Sequence, residues 1–289
     1  MKVKKSAILS ESIIEVEERE IIDTREPRLR LPRSYDAATN IPETGPYAPV
    51  EGCHDMIIAF DTTGSMSSYI DAIRSEVATL IPQLFAGNGN LRLGIIAFGD
   101  YCDIASLESF GNAFQRIQPT ASISSLINFV RFSKDTCGGD CDEFYELVIR
   151  KIVDETPWRP NSHRSVLLIA DAEPHRLGYS DGIYVINNNI DWRKEAYKAV
   201  EKHIKFDTVS INNLSWMREL SRITSGISTP FRTSAKTGHL IRAAVLSRGT
   251  AAARASFDAN QKACARDSEL REVYKAYEVE RYPSRKGIK

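Results

Sequence analysis

The sequence predicts an α/β fold: a doubly wound, mostly parallel sheet of six strands flanked by helices. Two observations carry this. Short apolar runs stop at a carboxylate, at Asp61, Asp100 and Asp171, and polar residues follow each one. Segments with apolar residues at helical spacing alternate with those runs. The length of 289 residues, with 42% hydrophobic and 26% charged residues, suits one soluble α/β domain of about 200 residues plus flanking segments.

Residues 1–52 are expected to form an extended arm. Glu11 to Glu26 is acidic and mixed with Ile and Val, and five prolines between Pro27 and Pro49 exclude a helix. The main domain is expected over 53–247. Met56 to Phe60 is an apolar run ending at Asp61, as in a buried parallel strand that meets its crossover helix. Ile70, Ile73, Val77, Leu80, Ile81 and Leu84 then recur at helical spacing, with Ser67 or Ser68 as N-cap and Gly87-Asn88-Gly89 as the stop. A second strand runs from Leu91 to Asp100, and a weaker one is expected around Leu107 to Phe114. A short helix is expected from Pro119 to Phe132.

A Gly138-Gly139 loop rich in acids precedes a helix carrying Phe144, Leu147, Val148 and Ile152. Asp142 and Glu143 are expected to favour the first turn of that helix. A strand leads into Asp171, and helices over 191–203 and 214–223 flank a strand over 205–211. A short strand near 228–232 and a core helix over 235–246 complete the domain. Residues 248–289 hold ten basic and six acidic residues with few breakers before Pro283, and are expected to form a helical extension.

Lys and Arg number 38 and so do Asp and Glu, which argues against a general nucleic-acid or membrane-surface binder. No apolar run approaches the roughly 20 residues that span a bilayer, and no signal-peptide core follows the basic start. The five cysteines are dispersed, form no CxxC pair and imply free thiols. A cytoplasmic protein is the expectation. Cys137-x-x-x-Cys141 has poor spacing for zinc.

The chemistry is expected at the carboxyl ends of the strands, where open α/β sheets bind ligands. Asp61, Thr63 and Ser65 offer a carboxylate and two hydroxyls within five residues. Asp171 would lie beside Asp61 if their strands are neighbours. Crowded carboxylates repel and raise one another's pKa, and a divalent cation relieves that repulsion. Hard oxygen donors suit Mg²⁺, Mn²⁺ or Ca²⁺. The same hydroxyls would also serve as a plain N-cap between strand and helix.

Asp61-x-Thr63-Gly-Ser65-Met-Ser67 resembles the first segment of the metal-ion-dependent adhesion site of von Willebrand factor type A domains. The usual pattern there is Asp-x-Ser-x-Ser, and Thr63 keeps the hydroxyl. Gly138-Gly139-Asp140-x-x-Glu143 is similar to the second segment and Asp171-Ala-x-Pro-His175 to the third. With Leu93-Gly-Ile-Ile-Ala-Phe-Gly-Asp100-Tyr they match the branch found beside alpha-kinases. The resemblance covers about residues 54–246 and implies a Rossmann-like fold. It also implies Mg²⁺ (or Mn²⁺ or Ca²⁺) held by Asp61, Thr63, Ser65, Asp140 and Asp171. In the second segment Asp140 is favoured, with Thr136 the alternative, and Asp142 stands where proline is usual.

The function implied is binding of a protein partner, through an acidic side chain of that partner, without catalysis. Two other readings stay open. Asp61 could act as the nucleophile of a Mg²⁺-dependent phosphohydrolase or transferase, although the common pattern needs a second Asp at the position of Thr63. The metal site could also be vestigial, leaving a scaffold. A Ser65–His175–Asp171 triad can be drawn on paper but lacks the Gly-x-Ser-x-Gly elbow.

Overall fold

The computed structural model describes residues 49–281 apart from 51, 52, 87, 184, 186, 231–235, 248 and 249. The arm expected over residues 1–52 lies almost wholly outside the described residues. In chain order the strands are β1 (His54–Asp61), β2 (Leu91–Phe98), β3 (Phe114–Thr120), β4 (Asp142–Glu143), β5 (His163–Ala170), β6 (Glu173–Pro174), β7 (Ile204–Ser210) and β8 (Ser228–Pro230). The α-helices are α1 (Ser67–Ala86), α2 (Tyr101–Ser106), α3 (Phe110–Ala113), α4 (Ile123–Phe132), α5 (Tyr145–Glu155), α6 (Trp192–Glu201), α7 (Ser215–Ile223), α8 (Thr237–Ser247), α9 (Ala251–Ala263) and α10 (Ser268–Arg281).

Six strands form one sheet in the order β3-β2-β1-β5-β7-β8, and every pairing but β2 with β3 is parallel. The expected fold class is therefore observed. β1 is central and buried along its whole length. Its side chains alternate between two cores, as the pleat requires. Met56, Ile58 and Phe60 meet α1, through Ile70, Ile73, Val77 and Ile81. Ile57 and Ala59 face the opposite layer with Val148, Ile152 and Leu220 of α5 and α7. The chain order leaves β1 toward β2 on one side and β5 on the other. The crevice at the carboxyl ends of β1 and β5 is thus the topological switch point.

One expected strand is corrected. Leu107 to Phe114 is not a strand; α2 ends just before it, α3 occupies its second half, and β3 begins at Phe114. Ser109 caps α3 by accepting from the Gly111 amide, and Glu108 takes a positive φ of 56° that ends α2. Pro119 lies within β3 at the sheet edge, where a missing amide is tolerated, and the following helix starts only after the Ser122 cap.

The other end of β1 is held by charge. Asp55 accepts from Arg92 Nε (2.9 Å) and Nη2 (2.6 Å), from the Arg159 amide (2.7 Å) and from Arg159 Nε (2.8 Å). Burial opposes ionisation of Asp55, but Arg92 and Arg159 outweigh it and hold its pKa below the ordinary value.

The C-terminal helices are apolar on one side. α8 packs on α1, and α9 and α10 pack on α8. Phe257, Tyr274 and Tyr277 are fully buried in the same core as Met56 and Phe60. Among the described residues no helix is long and apolar enough to cross a membrane.

Removing the buried Phe257 ring should cost about 3–5 kcal/mol, as large-to-small core changes do. Urea unfolding of Phe257→Ala against wild type measures this. A loss under about 1 kcal/mol would show that the α9 contact adds little to the core.

Candidate metal centre at the β1–β5 switch point

β1 ends on Asp61, and β5 ends one residue before Asp171. A chain of oxygens joins them. The Thr63 amide and hydroxyl both donate to Asp61 Oδ1 at 2.7 Å. The hydroxyls of Thr63 and Ser65 are 3.3 Å apart, and Ser65 Oγ donates to Asp171 Oδ1 at 3.2 Å. The Tyr145 hydroxyl, on the first turn of α5, donates to Asp61 Oδ2. Asp61 is fully buried, and all its hydrogen-bond donors are neutral.

The electrostatics follow. Burial drives the Asp61 pKa up to about 7; Tyr145 and Thr63 oppose the shift and the Asp171 charge adds to it. Burial also raises Asp171, against the Ser65 hydrogen bond.

The second loop is tied to the first by backbone bonds. The Thr136 amide donates to Thr62 O (3.0 Å), and the Gly64 amide donates to Cys137 O (3.1 Å). Thr136 Oγ1 lies 3.0 Å from Thr62 Oγ1, so its hydroxyl is paired with the neighbour of Thr63. Gly138 has φ +68°, and a Cβ there would sit 2.9 Å from Glu143 Oε1 and 3.3 Å from Thr63 Cβ. Only glycine lets the loop pass so close to both.

Sequence reasoning missed Glu143. It is not a solvated acid of a first helical turn. It pairs with Pro174 in the β4–β6 bridge, one residue before the cap of α5, and is only 3% exposed. Its Oε2 has no hydrogen-bond partner among the described residues. Burial, then the charges of Asp61 and Asp100, push its pKa up to about 10.

Asp140 is placed differently from the other expected ligands. It is exposed and lies with Asp100 and His175, one ligand atom of each lying within 4.8 Å of the others. No hydrogen bond links it to Asp61, Thr63, Ser65 or Asp171 among the described residues; its Oδ1 accepts from the Asp142 amide at 3.0 Å. His175 Nε2 lies 2.6 Å from Asp100 Oδ1, while Ser65 bonds Asp171, so no Ser65–His175–Asp171 relay exists. Burial works against the charged His175 ring, but Asp100 outweighs it and keeps its pKa above the ordinary value. Among the tryptophans, Trp192 and Trp216 are core residues and Trp158 packs at the margin.

Asp61, Thr63, Ser65 and Asp171 fit a hard divalent cation. The donor set is all oxygen, it converges on one crevice, and it buries an acid whose hydrogen-bond donors among the described residues include no cation.

Comparison with known proteins agrees with this fold. The chain matches the model of the von Willebrand factor type A domain over residues 55–241. It is 33% identical over 131 residues to the alpha-protein kinase vwkA of Dictyostelium discoideum; the match covers 44% of this chain and 20% of that protein. The chain thus spans about a fifth of that relative's length. Among solved structures it is similar to the pilus adhesin SpaC of Lactobacillus rhamnosus GG, at 12% identity and TM-score 0.48, covering 68% of this chain and 30% of that one. Proximal thread matrix protein 1 of the mussel byssus is similar at 12% identity and TM-score 0.48, covering 68% and 48%.

Linkage gives a pH prediction for the metal-free protein. The folded pKa of Asp61, about 7, lies above its ordinary 3.8, so the folded state holds this proton more tightly than the unfolded chain. That contribution to stability is full below about pH 4 and is lost as pH rises through about 7. In chelator, the urea midpoint should fall over that window, and Asp61→Asn should flatten the fall. An unchanged profile in Asp61→Asn would contradict the assignment. Glu143→Gln should change stability little at pH 7, because an acid titrating near 10 is already neutral there.

Proposed function

Since the chain belongs to the von Willebrand factor type A family, we propose that it is a metal-dependent protein-binding module. Type A domains commonly mediate protein–protein interaction. The observation that carries the reading here is the unbroken run of oxygens from Asp61 through Thr63 and Ser65 to Asp171 across the ends of two adjacent parallel strands. These residues would hold Mg²⁺, with Mn²⁺ or Ca²⁺ as alternatives. The bound cation would offer a coordination position to an acidic side chain of a protein partner.

The residues divide the work. Tyr145 and the Thr63 amide fix the Asp61 carboxylate by taking one oxygen each. Ser65 sets the orientation of Asp171. With Asp61 and Asp171 as its carboxylates, a divalent ion would be balanced and keep its pull on an incoming carboxylate, which a third charged acid would weaken. For the second loop the resemblance favours Asp140, but that side chain lies with Asp100 and His175, and Thr136, whose hydroxyl is beside that of Thr62, is the nearer candidate. The nucleophile reading of Asp61 gains no support from an acid with both oxygens engaged and no exposed surface.

Isothermal titration calorimetry with Mg²⁺ and Mn²⁺ tests the proposal. Wild type should bind at millimolar metal, Asp61→Ala and Asp171→Ala should show no binding heat, and Asp142→Ala should match wild type. No heat from wild type would leave only the scaffold reading. Turnover of generic phosphatase substrates that is metal-dependent and lost in Asp61→Asn would replace the binding reading with the enzymatic one.

A further inference from the structure

We propose that Asp100, Asp140 and His175 form a second cation site, separate from the one at Asp61 and selective for a borderline metal such as Zn²⁺. The observations behind it do not depend on the first site. One ligand atom from each residue lies within 4.8 Å of those of the other two. Asp100 and His175 are each 1% exposed at the side chain, and their contact is 2.6 Å.

A buried ion pair alone would account for that contact. It does not account for Asp100 Oδ2, which is buried with no hydrogen-bond partner among the described residues. The neighbouring Cys102 thiol feels the Asp100 charge, and a thiol is only a weak donor. Nor does a self-satisfied pair explain a third acid beside it. The charge of Asp140 is felt by His175. Its exposure provides a route for an ion from solvent.

The site is also built as metal sites are. The Tyr179 ring stacks on His175 with centroids 3.6 Å apart, and Tyr101 packs at 5.4 Å, so the imidazole is held in place. The His175 amide donates to Glu143 O and to Glu146 Oε2, which fixes the backbone under the ring. One imidazole among the donors favours Zn²⁺ over Mn²⁺, Ca²⁺ and Mg²⁺. Ligand atoms around tetrahedral zinc lie about 3.4 Å apart. An ion entering there would separate the Asp100–His175 contact from 2.6 Å, and the exposed Asp140 is the residue free to approach it. Three protein ligands leave a fourth position for water or an incoming group.

The test uses the full chain after chelator treatment, in equilibrium dialysis against Zn²⁺ with elemental analysis. The first site is disabled by Asp61→Ala with Asp171→Ala, so failure of the metal-dependent adhesion reading cannot mimic failure here. That variant should retain one Zn²⁺ per chain. Adding Asp140→Asn or His175→Gln should weaken binding at least tenfold, and Co²⁺ should give visible absorption bands that His175→Gln removes. Asp140 is exposed, so Asp140→Asn keeps the test informative if His175→Gln fails to fold. No retained Zn²⁺, or Zn²⁺ affinity unchanged by Asp140→Asn, would overturn the site.

Discussion

The structure depends on how it treats the carboxylate of Asp61. This group is fully buried at the end of the central strand, and desolvation alone makes its charged form costly. Everything nearby is arranged on it. The first loop folds back to donate an amide and a hydroxyl, α5 begins with a tyrosine that covers the second oxygen, and Ser65 bridges to the next strand's acid. These neutral donors orient the group without cancelling its charge.

The two ends of β1 make the contrast concrete. Asp55, six residues before Asp61 on the same strand, is as buried as Asp61, yet two guanidiniums meet it and favour its ionised form. At Asp61 no guanidinium or ammonium is among the donors. One fold thus balances a buried acid internally at one edge of the sheet and not at the other. The unbalanced edge is the one where the strand order reverses and a ligand can enter. The cation proposed for that edge would supply the missing compensation.

Much of this was legible in the residues. The runs ending at Asp61 and Asp171 are buried on both faces, so their apolar character is continuous and hard to mistake. The six apolar positions of α1 were all found buried at their helical spacing. What was not legible depends on tertiary context. Leu107 to Phe114 holds Phe110 and Phe114, residues suited to a strand, but the turn at Glu108 and the Ser109 cap lead into the short helix α3 instead. Glu143 looked like an ordinary helix-start acid because nothing in its neighbours reveals that the β4–β6 bridge turns it inward. Asp140 and Asp100 are 40 positions apart in sequence, and only the fold shows that they share His175. The buried side of α9 and α10 is diluted by charge, so the sequence predicts a helical extension without singling out Phe257, Tyr274 and Tyr277 as its packed side.

The loop over residues 136–143 links these features. Its start is bonded to Thr62 and Gly64 of the first loop. Its middle is pinned by Asp103, which accepts from the Cys137 amide at 2.8 Å and the Gly138 amide at 3.1 Å. Its end carries Asp140 toward Asp100 and His175 and Glu143 toward Asp61. Glu143 feels the charges of both Asp61 and Asp100, so its protonation reflects both clusters at once. A positive charge arriving beside either aspartate would lower the Glu143 pKa and alter the field at the other. Coupling between the two proposed sites would therefore need no large movement, only the buried acid that feels both.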